Sequence, residues 1–166
     1  MNIGDKVVYL MHGAGEITGI EENEVGGVTD SYYVFRLPVG DMKLMLPVDK
    51  VEEAGLRPLI DAAQVDEVVK VLQAESEQLQ GSWNKRFHMN LERLKTGNIL
   101  DAAAIARNLS RQNAKKKISS GERRLLDLSR QILITELVYV CGKTPDEITA
   151  WVDELIGVAT PEADAT

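Results

Sequence analysis

The residues of this chain best equipped for chemistry are cations set at the starts of helices. Ser82 precedes a helical stripe of Trp83, Phe87, Leu91 and Leu94, and Lys85 and Arg86 fall in its first turn. Ser119, with Glu122 three residues on, reads as a capping box for a second stretch, and Arg123 and Arg124 fall in its first or second turn. A cation there opposes the helix macrodipole and costs about 0.3–1 kcal/mol when exposed. Two helices making the same unfavourable choice point to an anion that offsets it. Free backbone N–H groups joined by Lys or Arg make a phosphate site. Arg107, Arg111 and Lys115 recur every four residues and extend the basic character, as a helix edge, into Lys116 and Lys117. Cations aimed at phosphates carry little sequence specificity.

Trp83 admits two readings. Its stripe fits a core tryptophan. Its place just inside a helix start, between Gly81-Ser82 and Lys85-Arg86, fits an aromatic that stacks on bases or wedges between them. Trp151, near Ile148 and Leu155, reads as core.

Catalytic signatures are missing from the sequence. Gly13-Ala14-Gly15 followed by Gly19 lacks the spacing and the trailing helix of a dinucleotide loop, and no P-loop, nucleophile elbow or metal-binding His pair occurs. Cys141, beside Val138 and Val140, reads as an inert thiol, and a single cysteine suits a reducing cytoplasm. One Cys and two His do not supply a structural zinc site. The expectation is a cytoplasmic, monomeric protein with no catalytic residues, no metal, no cofactor and no membrane span.

Charge distribution supports a polyanionic partner. The 166 residues carry a net charge of -7. Residues 1–80 hold 6 Lys+Arg against 15 Asp+Glu, residues 81–130 hold 12 against 4, and residues 131–166 hold 1 against 7. An acidic chain therefore concentrates its basic residues in one helical segment. The N-terminus, Met1 to Asp5, has neither the basic start nor the apolar run of a secretion signal.

The elements that must position these cations change character near residue 58. Before it the period is two: Lys6 to Leu10, Glu16 to Glu21 with a bulge at Gly19, Tyr32 to Leu37 and Met42 to Val48 read as four strands. Asn23 to Thr29 reads as a turn, and Gly40-Asp41 as a hairpin. Short twisted strands rich in glycine suit a small open barrel. From Asp61 the period is helical, with starts at Asp61, Ser82, Asn98, Ser119 and Thr144-Pro145 and stops at Gly97, Gly142 and Gly157. The organisation is α+β: a β unit over 1–52, a linker over 53–60, about five helices over 61–157 and a frayed tail over 158–166.

Gly4-Asp5-Lys6-Val7-Val8-Tyr9, followed by His12 to Ile17, resembles the opening of the CarD family of bacterial transcription regulators, a module also found in the transcription-repair coupling factor. Ser82-Trp83-Asn84-Lys85-Arg86-Phe87, Asn90 to Gly97, Leu109, Lys117 and Ser119 to Arg124 resemble the helical half of CarD itself. The resemblance spans residues 1–156. It implies a Tudor-like N-terminal domain that binds the β-subunit lobe of RNA polymerase, partly by edge-strand pairing along Met42 to Pro47. On the positions of this chain, the polymerase-facing residues it implies are Asn23, Lys43, Met45 and Pro47. It further implies a helical domain held over promoter DNA at the upstream edge of the melted region, where Trp83 wedges at the minor groove. Lys85, Arg86, Lys117, Arg123 and Arg124 would then meet the backbone, and the open complex would be stabilised without sequence readout. Leu10 stands where a proline is usual in the family, Asn23 and Met45 where some relatives have arginine, and His88 where some have lysine. The alternative is an adaptor whose basic helices bind an acidic protein.

Overall fold

Alternating apolar residues build the first third of the chain, and the computed structural model describes residues 1–159. Strands β1 (Lys6–Tyr9), β2 (Gly13–Val25), β3 (Val28–Arg36), β4 (Lys43–Pro47) and β5 (Leu56–Pro58) form one antiparallel sheet in the order β4-β3-β2-β1-β5. The Tudor-like β unit is thus an open sheet with β4 and β5 as edges, rather than a closed barrel. Ile17, Phe35, Leu37 and Leu46 are buried on one face, with Tyr33, Leu44, Val7 and Tyr9 packed around them. The expected bulge is present: the β2–β3 register slips between Ile17 and Gly19.

Two features differ from the sequence expectation. Asn23 to Thr29 is not a broad turn, because β2 and β3 keep pairing out to Val25 and Val28. Only Gly26 and Gly27 turn the chain, with φ of 61° and 80°, the left-handed pair that matches the strand twist in a two-residue hairpin. The stretch 53–60, read as a linker, contains β5, which pairs with β1 through Leu56, Arg57 and Pro58. Three residues are too few for a strand period to show.

Five helices follow: α1 (Ala62–Gln73), α2 (Trp83–Lys95), α3 (Ile99–Lys115), α4 (Ser120–Cys141) and α5 (Pro145–Ile156). Each begins at the cap its sequence announces, Asp61, Ser82, Asn98, Ser119 and Thr144, whose side chains accept from backbone N–H groups of the first turn. Full capping boxes form at Asp61/Gln64 and Thr144/Glu147. At Ser119 the reciprocal half is missing, because the Glu122 carboxylate accepts from the Ser119 hydroxyl and from Gln112 instead. Val68, Leu72, Ala103, Ala106, Leu133, Leu137, Ile148 and Val152 form one core among α1, α3, α4 and α5. Leu94, Ile105, Leu109, Leu125, Leu126 and Ile132 form a second among α2, α3 and α4. Helix α4 feeds both cores and also packs on β2. Of the segment read as a tail, Val158 is half-buried against the first core, and residues 160–166 lie outside the described residues.

Candidate nucleic-acid interface

Two helix starts meet at Trp83. Ser82 accepts from the Lys85 N–H at 3.3 Å and thereby fixes Trp83 as the first residue of α2. The indole stacks on Phe87 with centroids 5.4 Å apart and planes 17° from parallel. Its Nε1–H donates to Ser119 Oγ at 3.1 Å. The same hydroxyl accepts the Glu122 N–H that starts α4, so one oxygen serves both helix starts. Gly121 lies under the ring: a Cβ there would stand 3.0 Å from Trp83 Cζ2. Trp83 is nevertheless 40% exposed, so of its two readings the core tryptophan is excluded. A large aromatic held on one face and at its N–H, with its other side open, is built to present apolar area outward.

The cations in and beside these two helix starts divide into free and engaged. Lys85, Lys117 and Arg124 are exposed and make no ion pair among the described residues. Arg123 pairs with Asp127 at 3.3 Å, both largely in solvent, where such a pair contributes at most about 1 kcal/mol and can be exchanged for a phosphate. Arg86 is half-buried and donates to the Gly81 carbonyl at 2.7 Å, tying the segment before α2 to its first turn.

The basic helix edge expected at Arg107, Arg111 and Lys115 is not a ligand surface. Arg107 is 3% exposed, donates to the Val71 carbonyl at 2.7 Å and pairs with Glu77 at 3.1 Å. Burial lowers its pKa, and the Glu77 carboxylate offsets only part of that. Arg111 donates to the carbonyls of Leu72, Ala74 and Ile156 at 3.1, 2.7 and 2.9 Å. Those oxygens sit at the C-terminal ends of α1 and α5, where carbonyls lack helical partners and favour a cation. Both arginines are consumed in joining helix ends, and only Lys115, Lys116 and Lys117 of that run stay exposed.

On the sheet, β4 pairs with β3 alone and leaves its other edge open. The register sets Lys43 opposite Arg36, Met45 opposite Val34 and Pro47 opposite Tyr32, which together with Glu21 and Asn23 share one face. Lys43 pairs with Glu21 at 3.1 Å. Asn23 lies two residues beyond the last β4 pairing, on the exposed arm that Gly26-Gly27 closes. Sequence reasoning missed Gly121 and the role of Ser119 toward the indole. The one local signal is a glycine inside a helix start, where alanine would be the better helix former.

Residues 1–60 match the family model described as the CarD-like/TRCF RID domain, and residues 67–153 match the CarD C-terminal domain. The chain belongs to the CarD family. A Bacillus subtilis (strain 168) protein named "Putative transcription factor YdeB" is 35% identical over 150 residues, which cover 90% of this chain and 97% of that protein. The CarD match takes in Trp83 and both basic helix starts, and the RID match takes in the whole sheet. Membership gives the chain a role in transcription, within families of transcription proteins rather than enzymes. Among the described residues no helix is long and apolar enough to cross a membrane, and no cluster of three or more His, Cys, Asp or Glu is placed to hold a metal.

Proposed function

We propose that this CarD-family chain docks on the β-subunit lobe of RNA polymerase through the free edge of β4 and stabilises the open promoter complex by pressing Trp83 against DNA. In this reading residues 1–52 engage the polymerase and residues 61–157 the DNA, in the cytoplasm. The observation that carries it is the setting of Trp83: clamped by Phe87 and Ser119 and 40% exposed, at the meeting of two helix starts whose sequence neighbours Lys85, Lys117, Arg123 and Arg124 are exposed. An aromatic wedge at the minor groove hinders restacking, while cations at helix starts take backbone phosphates on either side. None of these groups reads base edges, so the effect is independent of promoter sequence. Main-chain pairing along β4 tolerates varied side chains and leaves Asn23, Lys43, Met45 and Pro47 to adjust strength.

The acidic remainder of the chain keeps affinity for naked DNA weak, and docking supplies the effective concentration that makes it useful. A test titrates the chain into polymerase–promoter complexes and follows their survival after competitor is added. Wild type is expected to lengthen survival, and Met45→Glu to need a higher concentration for the same effect. Tight, salt-insensitive binding of the free chain to naked DNA, or a titration unmoved by Met45→Glu, would overturn the docking account.

A further inference from the structure

Helix α4 touches both candidate surfaces. Ser119 and Gly121, at its start, hold the Trp83 indole. About 22 Å further along the axis, at a rise of about 1.5 Å per residue, the same helix grips the sheet. Glu136 is fully buried and receives the Arg57 guanidinium as a fork, Nη1 to Oε2 at 2.8 Å and Nη2 to Oε1 at 2.6 Å. The Ile60 N–H donates to the same carboxylate at 2.8 Å, and Arg57 Nε donates to the Gly97 carbonyl at 2.6 Å. Arg57 lies in β5, so the Arg57–Glu136 pair ties a sheet edge, the chain that enters α1 and the end of α2 to α4. Next to it on α4, Thr135 Oγ1 accepts the Ala14 N–H of β2 at 2.9 Å, and one turn before Thr135, Gln131 Nε2 donates to the His12 carbonyl at 2.7 Å. Positions 131 and 135 share one helix face and reach the β1–β2 turn and β2, while Glu136, about 100° further around the helix, reaches β5.

Apolar contact alone would hold the sheet but let it slide. A guanidinium–carboxylate fork on a buried carboxylate has one geometry, and any slip leaves the desolvated Glu136 charge unpaired. Such a lock is unneeded if the halves act independently. It matters if docking one half must place the other.

We infer that α4 is a rigid spar that sets Trp83 at a fixed position relative to the polymerase-facing sheet, with Glu136 and Arg57 as its positioning residues. The inference rests on the proposed function for what Trp83 does, but not for the lock itself. Neither residue touches DNA or polymerase; they act through the angle at which the helices are held.

The test uses the full chain with spin labels at Thr18→Cys in the sheet and Glu92→Cys on α2, in a Cys141→Ser background, all three carried by the labelled samples only. Wild type gives one narrow distance distribution. Glu136→Gln, and Arg57→Lys beside it in case the first melts at assay temperature, give a broadened one. Unlabelled variants keep their affinity for polymerase, while their extension of open-complex lifetime falls about five-fold or more, the range of a typical coupling between sites. A distribution as narrow as wild type in both variants, or full lifetime extension despite broadening, overturns the spar. If wild type itself extends no lifetime, the functional reading fails, and the distance distributions still decide whether the lock exists.

Discussion

Replacing Gly121 with alanine tests the clamp on Trp83 without touching the tryptophan. The added Cβ would stand 3.0 Å from Cζ2 and 3.2 Å from Cη2 of the indole, and 3.4 Å from Phe87 Cε2. Ordinary van der Waals contact begins at 3.4 Å, so the ring must retreat by a few tenths of an ångström. Overfilling a closed core costs about 1–3 kcal/mol, but this ring is open on one side and can swing outward. Against that, alanine at a helical position is worth up to about 1 kcal/mol over glycine, less this near the helix start. Net stability should therefore change by no more than about 1 kcal/mol in either direction. The indole should move, and its 3.1 Å hydrogen bond from Nε1–H to Ser119 Oγ should lengthen and weaken. Of the two indole N–H signals in an amide correlation spectrum, the one removed by Trp83→Phe is expected to shift in Gly121→Ala, and the open-complex effect to weaken. An unshifted Trp83 signal in a normally folded variant would refute the clamp.

Other predictions separate structural from ligand-facing cations and address pH. Arg111→Ala removes three carbonyl partners at helix ends and should lower stability by about 2–4 kcal/mol in urea melts, at roughly 0.5–1.5 kcal/mol per bond. Arg124→Ala should leave stability within about 0.5 kcal/mol, yet reduce the salt dependence of DNA engagement by about one phosphate contact. Burial holds His12 below the ordinary histidine value. The unfolded chain therefore takes up the proton first as pH falls, so stability is level above about pH 6.5, declines below it, and levels again once the folded His12 has titrated. Urea melts at about pH 8 and about pH 5.5 should show this loss in wild type and not in His12→Gln.

The fold was legible where local chemistry fixes it. Helix caps, the β2 bulge and the split between a β unit and five helices all follow from neighbouring residues, and a scan along the chain finds them. Three features depended on distant partners and did not show. β5 is three residues long and exists because β1 offers an edge. Arg107 and Arg111 have the spacing of a phosphate-binding edge, but the carbonyls that claim them come from the ends of α1 and α5, 36 to 45 residues away in sequence. Trp83 shares the stripe of a core residue. Its exposure follows from sitting one turn beyond the point where α2 meets α3 and α4, and periodicity alone cannot report that end effect. The basic helix starts at Ser82 and Ser119 were readable, but their meeting through a single hydroxyl was not.

The central claim is that Trp83 acts on melted promoter DNA. The measurement that tests it most directly is open-complex lifetime on a housekeeping promoter with cognate polymerase, comparing wild type with Trp83→Ala and melting both proteins as a folding control. The account predicts a longer lifetime with wild type and its loss in the still-folded variant. Equal extension by both folded proteins would contradict the wedge, and extension by neither would leave the basic helices to an acidic protein partner.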